Sequence, residues 1–284
     1  MEKTIKLEQI ASQIRRDIIR MINNVESGHP GGSLGCADIL TALYFDIMEI
    51  NPAEFKMSGE NEDMFFLSNG HISPLFYSVL GRRGYFDINE FSTFRKLNTR
   101  LQGHPATEEG LPGIRVASGS LGQGISVAVG NALAKKLNKD PHLTFVLTGD
   151  GELQEGQNWE ALMFAAHHKV DNIILTIDHN KKQIDGPTDE VISLLDLGAK
   201  LNAFGWEVIG MDGNNMEDIL ATYKRAVKQT KNHKPIAILA RTVMGKGVDF
   251  MENKHQWHGV APNDDECKLA LSQLDETIGD FKID

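Results

Sequence analysis

Oxygen-bearing side chains follow two short apolar runs of the sequence, at the points where each run ends. Residues 144–148 lead into Gly149-Asp150-Gly151, and residues 173–177 lead into Asp178-His179-Asn180. If a helix joins these runs as parallel strands, Asp150 and Asn180 lie side by side at one edge of a sheet. Such oxygens suit Mg²⁺, which takes octahedral oxygen coordination shared with phosphates and water. Gly-Asp-Gly alone is common in turns, but Asn180 and a backbone carbonyl just beyond it favour a Mg²⁺ site that holds a diphosphate.

Four histidines lie in segments rich in glycine and proline: His29, His71, His104 and His258. An imidazole titrates near neutrality, so it can both give protons to sugar hydroxyls and take protons from them. A single histidine is more often a hydrogen-bonded structural residue than a catalyst. Four of them in loops of the same kind favour a role in proton transfer.

Other ionisable residues are weaker candidates. His167 and His168 lie on the helix predicted after the Gly-Asp-Gly loop, and His179 is the neighbour of Asn180. We assign these three histidines to structure. Lys246, between two glycines, either meets an anionic substrate or is only an exposed loop lysine.

The overall composition is that of an ordinary globular protein. Of the 284 residues, 41% are hydrophobic and 24% are charged, which is enough for a packed core. The 39 acidic residues exceed the 29 basic ones, and the net charge of −10 argues against a nucleic-acid partner. No apolar run approaches the roughly 18 residues of a membrane span, and the start lacks a signal-peptide core. Two cysteines without metal-binding spacing fit a reducing compartment, so we expect a cytoplasmic protein with no membrane partner.

Alternating patterns predict the elements that position these residues. The first third of the chain indicates helices joined by glycine-rich loops, with apolar helical faces over 7–23 and 36–48. Beyond it, strand and helix patterns alternate. The predicted strands are 64–67, 143–147, 173–177, 206–209 and 236–239, and the predicted helices are 121–138, 155–169, 188–203 and 215–231. This order predicts an α/β fold: a mostly parallel sheet with helices on both faces and ligands beyond the carboxyl ends of the strands. We expect a single domain over 1–284, with a core at about 7–261 and a C-terminal helix and tail at 262–284.

The Gly-Asp-Gly segment and the asparagine about thirty residues later resemble the thiamine diphosphate signature. Further motifs resemble those of transketolases and span roughly residues 10 to 262. They are Ser27-Gly28-His29-Pro30-Gly31, Leu67-Ser68-Asn69-Gly70-His71, Gln102-Gly103-His104-Pro105, Ser118-Gly119-Ser120-Leu121-Gly122-Gln123-Gly124 and Trp257-His258-Gly259. Five motifs in the order of that family make the resemblance specific, and it implies the diphosphate-binding domain of the thiamine diphosphate fold.

The resemblance also implies roles for single residues. Asp150, Asn180 and the carbonyl of Lys182 would hold Mg²⁺, and the amide of Gly151 would reach a phosphate oxygen. The cofactor-binding set implied as a whole is His71, Gly119, Leu121, Asp150, Gly151, Glu152 and Asn180. His29, His104 and His258 would face the ketose, His71 would approach the diphosphate, and Glu155 would lie at the interface with a partner's glutamate. These four histidines and Glu155 form the catalytic set.

The implied reaction is transfer of a two-carbon ketol unit from a ketose phosphate to an aldose phosphate. In transketolases the glutamate that activates the cofactor lies in a following pyrimidine-binding domain, and this sequence ends before it. The resemblance therefore implies the amino-terminal subunit of a split transketolase, which forms a heterotetramer with a separate carboxy-terminal subunit.

Three alternatives remain at this stage. The α subunit of a 2-oxo acid dehydrogenase E1 component also carries a Gly-Asp-Gly signature, although that chemistry does not need the four loop histidines. A 1-deoxyxylulose-phosphate synthase resembles transketolase but is normally one chain. A non-catalytic subunit that keeps the cofactor fold is the third.

Overall fold

The computed structural model describes residues 1–283. Its strands are β1 (Met64–Leu67), β2 (Thr144–Gly149), β3 (Ile173–Asp178), β4 (Lys182–Gln183), β5 (Gly186–Pro187), β6 (Glu207–Asp212) and β7 (Ile236–Arg241). Five of them form one parallel sheet in the order β1-β2-β3-β7-β6, while β4 and β5 form a separate antiparallel pair. The predicted parallel sheet is confirmed.

Ten α-helices are present among the described residues. They are α1 (Glu2–Asn24), α2 (Pro30–Gly35), α3 (Ala37–Ala42), α4 (Ser73–Arg83), α5 (Gly124–Leu137), α6 (Gly156–His167), α7 (Thr188–Val191), α8 (Leu197–Ala203), α9 (Met216–Gln229) and α10 (Asp264–Gln273). Within residues 1–283, no helix combines the length and the apolar character that crossing a bilayer requires.

Helices cover both faces of the sheet because its strands are apolar on both sides. Along β1, Phe65 and Leu67 join the hydrophobic cluster formed with α1, α3, α4 and α9, whereas Met64 and Phe66 join the cluster formed with α5, α6 and α8. This alternation follows the two-residue period of a strand. The C-terminal segment packs into the first of these clusters, where Phe281 is buried.

Three predicted helices are interrupted or shortened in the structure. The region predicted as one helix over 188–203 holds α7 and α8, which are separated at Leu195 by a left-handed backbone conformation (φ 53°). The helix predicted over 36–48 is α3 followed by a π-helical turn, Leu43–Ile47. The helix predicted from residue 121 begins only at Gly124, because residues 118–123 form a turn. That turn is part of the site described next.

Candidate functional site

A cavity of about 370 Å³ lies beyond the carboxyl ends of β1, β2 and β3. Loops from widely separated parts of the chain form its walls, as expected for a ligand site in a parallel sheet. Every residue that the sequence analysis selected as a catalytic, cofactor or metal candidate lines this cavity: His29, His71, His104, Gly119, Leu121, Asp150, Gly151, Glu152, Glu155, Asn180, Lys182 and His258.

Asp150 and Asn180 occupy one corner of the cavity because β2 and β3 are neighbours in the sheet. The Asp150 carboxylate accepts hydrogen bonds from the backbone amides of Gly151 and Lys181, each at 2.7 Å. Lys181 adopts a left-handed conformation (φ 59°), which is uncommon for a residue with a side chain and lets the chain turn here. The amide nitrogen of Asn180 donates to Asp178 at 2.9 Å, and its oxygen accepts from the amide of Lys182 at 2.8 Å.

Two carboxyl groups are buried side by side in this corner. Asp150 is 1% exposed and Asp178 is 2% exposed, and neither belongs to an ion pair of the described residues. Burial, followed by the charge of Asp178, raises the pKa of Asp150 to about 7. A divalent cation would offset this buried charge. One carboxylate, one amide oxygen and one backbone carbonyl are the hard ligands that Mg²⁺ accepts while it keeps phosphate and water in its shell.

The turn over residues 118–123 forms another part of the cavity wall, through Gly119 and Leu121. Gly119 (φ 125°) lies so close to His104 that a Cβ atom there would be 2.7 Å from the ring carbon Cδ2. Gly122 (φ 89°) would likewise bring a Cβ atom to 2.9 Å from the Cβ atom of Glu155. Only glycine fits both the backbone conformation and the space at these two positions. The turn thus presents the partly exposed side chain of Leu121 to the cavity.

The four loop histidines meet around His29. Ring centroids are 5.2 Å apart for His29 and His71, 5.7 Å for His29 and His258, and 6.2 Å for His29 and His104. The Nδ1 atoms of His29 and His258 are buried without a hydrogen-bond partner in the protein. A polar atom left in this state is a candidate ligand contact.

Burial keeps these imidazoles neutral at pH 7. Desolvation, followed by neighbouring positive charge, lowers the pKa of His29 to about 4. Desolvation also lowers the pKa values of His71, His104 and His258. A neutral imidazole offers one N–H donor and one lone pair, so each ring can donate a proton at one nitrogen and accept one at the other.

The less favoured candidates lie outside the cavity. His167 ends α6 and His168 follows it, both exposed, and His179 does not reach the cavity lining. Lys246 lies near Glu252, with the ammonium nitrogen 3.4 Å from a carboxylate oxygen.

Some residues of the cavity were not singled out from the sequence. Asn69 follows β1 as Asp150 follows β2, and its amide oxygen is buried without a partner. Asp178 ends β3 and holds the amide of Asn180. Their position at or just beyond the end of a strand was the signal available for both. Gln154 lies in a 3-10 turn, Gln183 in β4 and Met244 in a loop, and no sequence pattern indicated the course of these segments.

Comparison with known proteins decides the family. The family described as "Transketolase, thiamine diphosphate binding domain" matches residues 6–283. The chain belongs to the transketolase family. It is 39% identical over 272 residues to one of the subunits of the apulose-4-phosphate transketolase of Phocaeicola vulgatus, covering 96% of this chain and 95% of that protein. It is also 39% identical over 277 residues to the 6-deoxy-6-sulfo-D-fructose transketolase subunit SqwG of a Clostridium species, covering 97% and 98%.

Undivided transketolases match over a smaller share of their length. The human enzyme is 33% identical over 259 residues, which are 91% of this chain but 40% of that protein. The crystal structure of the Campylobacter jejuni transketolase superposes with a TM-score of 0.86 at 34% identity, covering 94% of this chain and 42% of that one. The fold is therefore that of the thiamine diphosphate-binding part of transketolases. The chain spans almost the whole length of the two named subunits and about two fifths of the undivided transketolases.

Proposed function

We propose that this chain is the cofactor-side subunit of a two-chain transketolase. With Mg²⁺ and thiamine diphosphate, it would transfer a two-carbon ketol unit from a ketose phosphate to an aldose phosphate. The observation that carries this proposal is that one cavity gathers an oxygen-ligand corner, Asp150 and Asn180, and four neutral histidines. The family membership supports the same reaction class.

The oxygen-ligand corner would hold the diphosphate end of the cofactor. Asp150, Asn180 and the carbonyl of Lys182 would bind Mg²⁺, and the amide of Gly151 together with His71 would lie against the phosphates. Gly119 and Leu121 would pack beside the rings. When bound, thiamine diphosphate would supply a nucleophilic carbon for the ketose carbonyl and an electron sink for the charge that develops. The chain's own residues would orient the two reactants, and the Mg²⁺ that they hold would offset the charge of the diphosphate.

His29, His104 and His258 would handle the protons of the sugar. Each is neutral at pH 7, so an imidazole N–H can hold a substrate oxygen while a free nitrogen accepts a hydroxyl proton. His29 lies at the centre of the group, within 6.2 Å of each of the other three rings. Proton transfers between donor and acceptor sugars would therefore pass through this cluster.

A second chain would complete the site. The two relatives matched along almost their whole length are named as subunits, and the undivided enzymes are about two and a half times as long. Two apolar side chains that line the cavity are also exposed: Leu121 is 38% exposed and Ile184 is 61% exposed. We infer that the pyrimidine-binding domain of a carboxy-terminal subunit covers these side chains, in a heterotetramer with two chains of each kind.

Purification of the tagged chain from its native cells tests the proposal. We expect a stoichiometric partner with a pyrimidine-binding domain, and ketol transfer that requires both chains, thiamine diphosphate and Mg²⁺. A panel of ketose phosphates, with a sulfonated ketose for comparison, would define the substrate. A lipoyl-bearing partner and decarboxylation of a 2-oxo acid would overturn the proposal. Light scattering that showed an active one-to-one heterodimer would overturn the heterotetramer alone.

A further inference from the structure

Glu152 is a buried carboxylate at the wall of the cavity with only protein donors around it. The side chain is 3% exposed and belongs to no ion pair of the described residues. One carboxylate oxygen accepts the hydroxyl of Ser68 and the backbone amide of Gly122, the latter at 2.7 Å. The other accepts the hydroxyl of Thr148 at 2.6 Å and the more distant amide of Gly149 at 3.4 Å. Both oxygens are therefore engaged within the protein.

These donors belong to three different segments. Ser68 follows β1, Thr148 lies near the end of β2, and Gly122 lies in the turn that carries Leu121. Ser68 extends the connection, because its hydroxyl oxygen also accepts the amide of Gly124 at 3.1 Å. Glu152 thus holds the C-terminal end of the turn, directly through Gly122 and indirectly through Ser68. At the N-terminal end of the turn, the amide of Ser118 donates to the carbonyl of Pro105.

We propose that Glu152 is a positioning residue that fixes the turn over residues 118–123 against the ends of β1 and β2. It would act on the cofactor only through the wall that the turn forms, which differs from the direct cofactor contact expected from the sequence. A carboxylate suits this role because it only accepts hydrogen bonds, and every group around it donates. The inference rests on the proposed function for its effect on the cofactor, but its effect on the turn is independent of that function.

Two substitutions of Glu152 separate positioning from charge. Glu152→Ala removes the acceptors for Gly122, Ser68 and Thr148. Glu152→Gln retains an oxygen for Gly122 and Ser68 and points an amide nitrogen at Thr148, whose hydroxyl can rotate to accept it. Asn158→Ala is the matched control, because Asn158 donates to the backbone carbonyl of Glu152 at 2.7 Å and does not touch the turn. Ser68→Ala removes only the indirect connection to Gly124.

Hydrogen exchange of the full-length chain, read by mass spectrometry on peptides spanning 118–124, is the first measurement. In Glu152→Ala we expect amide exchange in this segment to be at least about tenfold faster. Loss of a hydrogen bond to a charged acceptor lowers the free energy of local opening enough to give that factor or more. Glu152→Gln and Asn158→Ala should remain within about threefold of the parent, and Ser68→Ala should fall between. Unchanged exchange in Glu152→Ala, or equal acceleration in all peptides, would overturn the inference.

Calorimetric titration with thiamine diphosphate and Mg²⁺, on the chain assembled with its partner, is the second measurement. Affinity should fall about tenfold in Glu152→Ala and recover in Glu152→Gln, in step with exchange of the turn. If the parent assembly binds no cofactor while exchange still responds to Glu152→Ala, the positioning role stands and the proposed function falls. If exchange responds and the affinity of Glu152→Ala equals that of the parent, the role in shaping the cofactor site is overturned.

Discussion

Two regions of this molecule bury charged groups, and they do so in opposite ways. On the buried face of α1, the carboxylate of Asp17 accepts two hydrogen bonds from Arg82, at 2.7 and 2.8 Å, and one from Ser78. Arg15 and Arg16 on the same helix pair with Asp38 and Asp280. In the cavity, by contrast, Asp150 and Asp178 are buried next to each other without a cation from the protein.

The difference separates groups that support the fold from groups kept for a ligand. Removing one partner of a buried ion pair leaves the other charge uncompensated, so such a substitution in the paired region should lower the free energy of unfolding. A buried carboxylate without a cation carries a desolvation cost that no protein charge offsets, so its removal should cost much less stability than breaking the ion pair. The cavity retains such groups, together with the unpartnered Nδ1 atoms of His29 and His258, in the place where the proposed function requires binding.

Asp150→Ala should give the largest functional effect. We expect it to abolish metal-dependent binding of thiamine diphosphate and ketol transfer in the assembled enzyme, because the only carboxylate among the proposed metal ligands is lost. His167→Ala, on the exposed face of α6, is the control and should leave catalysis nearly intact. Titration calorimetry and the ketol-transfer assay measure both variants. Equal losses in the two would show that the site assignment is wrong.

Asp150→Ala also sharpens the comparison through stability. Urea unfolding of the chain without cofactor should show a loss well below that of Asp17→Ala, since removing a buried, unpaired carboxylate relieves its desolvation although the amides of Gly151 and Lys181 lose their acceptor. A loss as large as that of Asp17→Ala would mean that Asp150 supports the fold as Asp17 does.

His258→Ala should come next. Loss of one proton-transferring group typically lowers the rate by about 10²–10⁴, and we expect kcat to fall within that range. The matched control is His255→Ala, because His255 starts the same short helical turn, His255–His258, but does not line the cavity. Activity of the assembled enzyme on a ketose phosphate measures both. Similar rates for the two variants would place the sugar chemistry elsewhere.

The sequence predicted the parallel sheet because its signals are local, and the residues selected after its strands line one cavity. Strands buried on both faces are nearly continuous apolar runs, and the residues that follow them must lie at the edge where ligands bind. The turn over 118–123 was predicted to be partly helical. The residues that hold it as a turn, Ser68 and Glu152, lie at least thirty residues away in sequence, so no local pattern reveals them. The break at Leu195 likewise carries no glycine or proline to announce it. The heterotetramer, the cytoplasmic location and the roles of single site residues stay predictions.

Asp17→Ala tests the other side of the comparison. Truncation leaves the guanidinium of Arg82 and the hydroxyl of Ser78 buried without their acceptor, so unfolding should require about 3–5 kcal/mol less. Urea unfolding at pH 7 measures the loss. Asp17→Leu combined with Arg82→Met removes both charges and should recover much of it, since apolar replacement of a whole buried pair is often neutral. A loss in Asp17→Ala no larger than that in the double variant would contradict the structural role of the pair.

Asp280→Asn should give the smallest effect and a defined pH dependence. Burial raises the pKa of Asp280, but hydrogen bonds from Arg16 and Gln13 together lower it by more than burial raises it. The net pKa of Asp280 therefore lies below the ordinary 3.8. A carboxylate with a depressed pKa stabilises the fold above that ordinary value and loses this contribution as pH falls through the folded-state pKa. Because Asp280 is partly solvent-screened, Asp280→Asn should cost about 1 kcal/mol at pH 7. The free energies of unfolding of the parent and the variant should converge as pH falls below 3.8.

Lys268→Ala, which breaks an exposed ion pair, is the control and should match the parent at every pH in urea unfolding. A free energy of unfolding of Asp280→Asn equal to that of the parent at pH 7 would show that the tail is held by packing of Phe281 rather than by the charge of Asp280.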